Sequence, residues 1–389
     1  MTFQLALGLC LMMSVFVATA RAFLVPPLLF TRHSNQAIRR VGKRNHGQII
    51  FSTELPTRRI SRFCSSAEDK TGDKTHLRVE NIWKSSIDRL EQQGVSEPEW
   101  SVAHLLASAM DLPWANGFSQ LLTRMSQADD TATTAVLLTT RQYEDFEAML
   151  ERRLKEEPIQ YILGKWDFLH YEQLIVRPPL LCPRPETEEL VELVRNDIQK
   201  QQQQQTLDTD TIHILDVGCG TGVIGIALAD AIPNSHVHAI DVEPMAVATS
   251  LENARLVLSD QAERYAAFQS SAQDHTTVQP YHVIVSNPPY IPRSDMETLS
   301  RDVVDYESDL ALCGGDDGMD VIRSILHKWV TEWGTPNSVC WMEVDPTHPA
   351  LLQTWLLEQQ NGNVVVLESI HQDLSGRDRF VKLSLRKDR

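Results

Sequence analysis

Paired cysteines are what this chain most plainly lacks. Its six, Cys10, Cys64, Cys182, Cys219, Cys313 and Cys340, include no C-x-x-C spacing, so neither a disulfide framework nor a zinc site is expected and a reducing compartment is. Acid is almost missing from the front: residues 1–67 hold nine Lys or Arg and a single acid, Glu54, a net +8. With −16 over all 389 residues, −24 is left for residues 68–389. A body so short of positive charge argues against a broad phosphate-binding face and against nucleic acid as a direct partner. Long apolar runs are missing too. The run at the front, Leu5 to Val17, has thirteen residues, too few to span a bilayer, and no membrane segment is expected in the mature protein.

That short run has the size of a signal-peptide core, and either Ala18-Thr19-Ala20 or Ala20-Arg21-Ala22 offers a cleavage site, although no Lys or Arg precedes it. From Phe23 to about Ala67 the chain is rich in Arg and Ser, which is transit-peptide composition. The two in series resemble the two-part presequence that leads into plastids bounded by extra membranes, with a mitochondrial presequence as the alternative. Residues 1–67 are therefore set apart from the fold.

The remainder is long enough for roughly two domains with a sizeable core. Residues 77–165 read as a small all-α domain: a run with Ile82, Ile87 and Leu90 stopped by Gly94, then Ser101 to Met110, then Thr139 to Lys155 with Phe146, Met149, Leu150 and Leu154 in one stripe. Residues 166–183 read as a β-hairpin linking it to residues 184–389. There, Pro185 and the acids after it suit the first turn of a helix to about Lys200, with Gln201 to Gln205 as a low-complexity loop. Strands at Ile212–Val217, Val237–Ile240, from Phe268 and at Val283–Ser286 follow. A helix from Met319 to Trp333 and strands at Val339–Val344, Val364–Leu367 and Phe380–Leu385 complete the chain. Such alternation means an α/β fold with a doubly wound parallel sheet, closed by an antiparallel edge.

Val283-Ile284-Val285-Ser286-Asn287-Pro288-Pro289-Tyr290 is the stretch with the clearest chemistry. A β-branched run stops at two prolines, which places Asn287 and Tyr290 at the carboxyl end of a parallel strand, where open α/β sheets bind ligands. The Asn287 side-chain carbonyl and the Pro288 main-chain carbonyl can together accept both hydrogens of a planar –NH2 group, and Tyr290 can cover its flat face. An amide or exocyclic amine nitrogen is a poor nucleophile; holding both its protons aims its lone pair at an electrophile.

The companion stretch is Asp216-Val217-Gly218-Cys219-Gly220-Thr221-Gly222, a strand opening into a glycine-rich turn before a helix. The next strand ends in Asp241, roughly twenty residues on, where a ribose diol would be held. An acid before the glycines is untypical of the dinucleotide fingerprint and fits a sulfonium-bearing amino-acid nucleoside better. The Phe268–Asp274 block is the expected adenine neighbourhood, with no single contact assigned. Cys219 lies beside the cofactor with nothing to make it a nucleophile, Glu343 ends a buried strand, and the histidines have no metal spacing, so no metal is expected.

With those residues in view, the chain resembles the HemK-type protein-(glutamine-N5) methyltransferases that modify peptide chain release factors. Four blocks carry the likeness over roughly residues 77–389: Glu157-Pro158-Ile159-Gln160-Tyr161-Ile162-Leu163-Gly164, Pro183-Arg184-Pro185-Glu186-Thr187-Glu188, the Asp216–Gly222 loop and Asn287-Pro288-Pro289-Tyr290. Tyr306-Glu307 and Gly314-Gly315-x-x-Gly318 stand at similar places. The resemblance implies a class I S-adenosylmethionine-dependent methyltransferase, Rossmann-like, with a substrate-docking helical domain in front. It implies that Gly218, Cys219, Gly220, Thr221 and Gly222 wrap the methionine part of S-adenosylmethionine, that Asp216 orients its amino end and that Asp241 holds its ribose. Asn287, Pro288, Pro289 and Tyr290 would bind the substrate amide, Asn287 touching the cofactor as well, with Arg184, Glu186 and Glu188 helping to dock the partner. The implied substrate is the glutamine of the Gly-Gly-Gln tip of an organellar release factor. A ribosomal-protein glutamine, or adenine or cytosine in nucleic acid, presents the same –NH2 and is the alternative. A non-enzymatic Rossmann-like binding module would have no use for the Asn-Pro-Pro-Tyr companion.

Overall fold

The computed structural model of the protein describes residues 77–114, 116–127, 136–207, 209–277, 279–358 and 364–385. The presequence reading of residues 1–67 lies outside the described residues. By packing, the chain divides into two units, 77–88 with 102–146 and 89–101 with 147–385, so it crosses between them inside helices rather than at one linker.

The first unit is helical. It takes the start of α1 (Val79–Gln92), most of α2 (Pro98–Ala109), α3 (Gly117–Gln127) and the first half of α4 (Thr140–Arg153). Val102, Ala103, Leu105 and Leu106 bury the inward face of α2, and Val79 N–H donates to Val136 O at 2.9 Å. α3 was not foreseen from the sequence.

In the second unit the buried Arg153 ties residues 96–101 to the end of α4. Its guanidinium donates to Ser101 Oγ at 3.0 Å, to Ser96 O at 3.2 Å and to Glu157 O at 3.0 Å. The short α5 (Ile159–Leu163) ends on Gly164 with φ 70°, whose N–H returns to Gln160 O. The hairpin is shorter than expected: β1 (Lys165–Phe168) pairs antiparallel with β2 (Tyr171–Ile175), and 177–183 are loop. Tyr161, Val176 and Cys182 form a small buried cluster that fixes where the chain enters α6 (Pro185–Gln203). Three of the five glutamines belong to α6, against the expectation of a loop from Gln201; glutamine is a good helix former and nothing stops the helix before it.

The sheet has seven strands in the order β5-β4-β3-β6-β7-β9-β8. β3 (Ile212–Val217), β4 (Ser235–Asp241), β5 (Tyr265–Gln269), β6 (Tyr281–Ser286) and β7 (Gly334–Glu343) are parallel, and β9 (Asp378–Leu385) and β8 (Val365–Gln372) add an antiparallel edge. β5 begins at Tyr265, before the Phe268 expected of it, and β7 and β8 are longer than expected. Successive strand residues face opposite sides, and both sides are buried. Ile214, Val285 and Trp341 pack under α6, α7 (Val223–Ala231) and α8 (Pro244–Leu258). Leu215, Ile284 and Met342 pack under α9 (Asp320–Lys328) and α10 (His348–Glu358). The helix expected over Met319–Trp333 is α9 followed by a π-helical turn, Trp329–Trp333, whose two tryptophans are buried. β3 is where strand order reverses, and its carboxyl end opens a crevice there.

Candidate active site

The crevice floor is the loop after β3. Gly218, Gly220 and Gly222 all have positive φ, at 73°, 53° and 85°. At Gly222 a Cβ would lie 2.7 Å from Ser250 Cβ and 2.8 Å from Ile226 Cδ1, so only glycine lets α7 start this close to α8. Gly218 and Cys219 donate their N–H groups to Ile240 O at 2.8 and 3.1 Å, which fastens the loop to the end of β4.

Asp241 stands at that end. Its Oδ2 accepts from Gly220 N–H at 2.8 Å and its Oδ1 from Glu243 N–H at 2.9 Å, and each oxygen keeps a lone pair for a further donor. Burial pushes its carboxyl up, against those backbone bonds. The cavity passes from Asp241 over Ser270, Ser271, Ala272 and Gln273, the block after β5 that the sequence marked without assigning a contact.

Asp216 is not in the crevice. It follows Ile212 and Ile214 in register, so its side chain faces α7; it is 0% exposed, and its Oδ2 accepts from Gly225 N–H at 2.9 Å. Gly225 makes the room, since a Cβ there would lie 2.9 Å from that oxygen. Oδ1 has no partner among the described residues, and burial pushes the carboxyl up to about 7. The bond from Gly225 N–H to Oδ2 orients α7, and Oδ1 keeps its lone pairs. Cys219 lines the cavity beside it, its thiol pushed far up by burial and unsuited to nucleophilic work.

The opposite wall is formed by part of Asn287-Pro288-Pro289-Tyr290; Pro288 and Tyr290 are not in the cavity lining. Ser286 Oγ donates to Val217 O at 2.6 Å and pins the end of β6 to the end of β3. Asn287 and Pro289 line the cavity. Asn287 Nδ2 donates to Thr187 Oγ1 at 3.1 Å, Thr187 Oγ1 donates to Glu343 Oε2 at 2.8 Å, and Tyr290 OH donates to Glu343 Oε1 at 3.2 Å. The Arg379 guanidinium lies 6.0 Å from the Tyr290 ring centre, and burial pushes the phenol up. The glycines at 314 and 318 brace this wall from behind. A Cβ at Gly314 would meet Pro289 O at 2.6 Å and one at Gly318 would meet Tyr290 O at 2.2 Å, while Ile291 N–H donates to Leu312 O and Gly314 N–H to Ile291 O, each at 2.9 Å.

Of the docking candidates, the structure brings only Arg184 to the cavity. Its Nη2 reaches both Glu307 oxygens at 2.9 and 2.8 Å, and Glu307, its side chain 1% exposed, also accepts from Cys182 N–H at 3.3 Å. Glu186 points instead to Arg377 at 3.5 Å, and Glu188 accepts from Leu169 N–H at 2.7 Å in the hairpin turn. Thr187, between them, lines the cavity and was missed; its one signal is a short polar residue on the buried stripe of α6 with Leu190, Val191 and Val194. Among the described residues no cluster of His, Cys, Asp and Glu is arranged to hold a metal.

Comparison with known proteins agrees with this geometry. Residues 197–305 match the methyltransferase small domain and residues 81–164 the PrmC N-terminal domain. The chain is 38% identical over 249 residues to the human MTRF1L release factor glutamine methyltransferase, covering 63% of this chain and 72% of that one. It is 34% identical over 233 residues to the release factor glutamine methyltransferase of Lactococcus lactis, covering 60% and 79%. A bifunctional methyltransferase of Rickettsia typhi is 29% identical over 317 residues, 79% of this chain but only 57% of that longer protein. A glycine cradle with an acid at its edge suits S-adenosylmethionine, and the chain belongs to the S-adenosylmethionine-dependent release factor glutamine methyltransferase family.

Proposed function

We propose that the protein methylates the side-chain amide nitrogen, N5, of the glutamine in the Gly-Gly-Gln motif of an organellar peptide chain release factor. One observation supports this reading above the others: Asn287 Nδ2 donates one hydrogen to Thr187 Oγ1 at 3.1 Å, which turns Oδ1 away from Thr187, and Asn287 lines the cavity, next in sequence to the Pro288 carbonyl. Two carbonyl oxygens hold an –NH2 group; they do not hold a hydroxyl or a thiol in the same way.

S-adenosylmethionine supplies a methyl carbon already activated by its sulfonium sulfur; transfer forms the N–C bond, breaks the S–C bond and releases one proton from nitrogen. Gly218 to Gly222 and Asp241 are the residues to hold it, with the free lone pairs of Asp241 accepting from ribose hydroxyls. Asn287 and Pro288 fix the amide plane and stabilise the positive charge that grows on nitrogen as the bond forms. Tyr290 closes the face of the amide. Arg184, held by Glu307, and the helical segment 77–165 take part in docking the release factor, and residues 1–67 address the protein to a plastid.

The test is mass spectrometry of an organellar release factor incubated with the protein and methyl-labelled S-adenosylmethionine. One label on the Gly-Gly-Gln glutamine, lost when that glutamine is replaced, is expected. Label elsewhere in the protein, or on adenine or cytosine of added nucleic acid alone, rejects the reading.

A further inference from the structure

We propose that Thr187 and Glu343 are positioning residues for this reaction: one buried carboxylate, acting through one hydroxyl, decides which end of the Asn287 carboxamide faces the substrate. The inference rests on the amide-acceptor role given above to Asn287 and adds how that role is enforced.

A carboxamide has an oxygen at one end and an –NH2 at the other, of nearly equal size, and half a turn about its last bond exchanges them. With the oxygen toward the cleft, Asn287 accepts from a substrate –NH2. With the nitrogen toward the cleft, it presents hydrogens to hydrogens. Sequence alone supplies no preference between the two.

The preference comes from the direction of the hydrogen bonds behind it. β6 and β7 pair in parallel with Ser286 opposite Met342, so the next residues along, Asn287 and Glu343, leave the sheet side by side on the face covered by α6. Thr187, in the first turns of α6, comes down between them. Burial pushes the Glu343 carboxyl up, while the Thr187 and Tyr290 hydrogen bonds and the Arg379 charge act the other way and favour the ionised form, in which it can only accept. Thr187 Oγ1 must therefore spend its one hydrogen on Glu343 Oε2, at 2.8 Å, and can offer Asn287 nothing but lone pairs, at 3.1 Å. Only the –NH2 end of Asn287 can meet a lone pair, so the carbonyl end is turned away from Thr187. The second oxygen of Glu343 accepts from Tyr290 OH at 3.2 Å, so the same carboxylate sets the ring that covers the amide. Thr187 is 4% exposed and Glu343 2%, which keeps water from supplying substitute partners.

Neither residue touches the reacting atoms in this scheme. The expected signature is accordingly a loss of kcat with binding retained. In the full chain, Thr187→Val keeps the shape and removes the hydroxyl. We expect kcat for methylation of the release factor to fall ~10–100-fold, the scale of a small misplacement of a catalytic group. S-adenosylmethionine affinity by calorimetry should stay within about twofold of wild type, because the glycine loop and Asp241 are untouched. Thr187→Ser, which restores one donor and two lone pairs, should recover most of the lost kcat, a rescue that a purely space-filling threonine would not give. Should Thr187→Val not fold, Glu343→Gln is measured in its place, since glutamine keeps one acceptor where two hydroxyls need one each, and the same fall in kcat with affinity retained is expected. Wild-type kcat in Thr187→Val, or in Glu343→Gln, alongside an inactive Asn287→Ala overturns the positioning role and leaves the acceptor role intact. A fully active Asn287→Ala overturns the acceptor role itself.

Discussion

Replacing Asp216 by asparagine should change how the stability of the protein depends on pH. The carboxyl is fully buried, one oxygen bonded to Gly225 N–H and the other without a partner among the described residues, and burial lifts it from 3.8 to about 7. A group whose folded value is raised contributes stability that is complete below its unfolded value and is lost as pH rises through the folded one; the window here runs from about 3.8 to about 7. Between pH 5 and pH 8 the unfolded chain is already ionised, while the native carboxyl gives up its proton near the middle of that interval. At 1.36 kcal/mol per pH unit, wild type should lose roughly 2–3 kcal/mol over that range from this residue alone. Asparagine keeps an oxygen for Gly225 and does not titrate, so every other titration is common to both proteins. The measurement is urea unfolding of wild type and Asp216→Asn at pH 5, 6, 7 and 8, read as the difference between them. A difference that shifts toward the variant by this amount as pH rises is expected. A difference constant across the range would mean that the carboxyl is solvated or paired in the native state, and would refute its placement against α7.

Asp241→Ala should weaken S-adenosylmethionine binding by about 1–3 kcal/mol, since it removes the ribose acceptors and frees Gly220 N–H; unchanged calorimetric affinity would take Asp241 out of the site. Gly318→Ala puts a Cβ 2.2 Å from Tyr290 O at a φ of 76°, and backbone strain with overpacking should cost about 2–4 kcal/mol in chemical denaturation; an unaltered midpoint would show that the loop can yield. Residues 1–67 fused to a fluorescent protein should carry it into a plastid, and a mitochondrial or cytosolic signal would reject that address.

What could be read from the sequence was whatever a strongly punctuated backbone writes into it. β3 and β6 are short β-branched runs stopped by glycines and by prolines, so their ends, and the ligand face those ends create, were legible. Direction was not. Both faces of β3 are buried, so alternation could not say that Asp216 turns to α7 rather than to the crevice. Thr187 was hidden by its charged neighbours: Glu186 and Glu188 drew attention as acids, yet they point to Arg377 and to the hairpin while the threonine between them reaches the site. Glu343 read equally well as structure or function because its partners lie 156 residues upstream on α6 and 53 upstream at Tyr290, separations only the fold closes. A run of five glutamines marks low complexity by composition alone, yet glutamine is a good helix former and three of them extend α6.

The most direct measurement is the single-turnover rate of methyl transfer by Asn287→Ala at saturating S-adenosylmethionine. If two fixed carbonyl oxygens hold the substrate amide, that rate falls ~10²–10³-fold while the co-substrate still binds. A rate within a few-fold of wild type would mean the amide is held by something else.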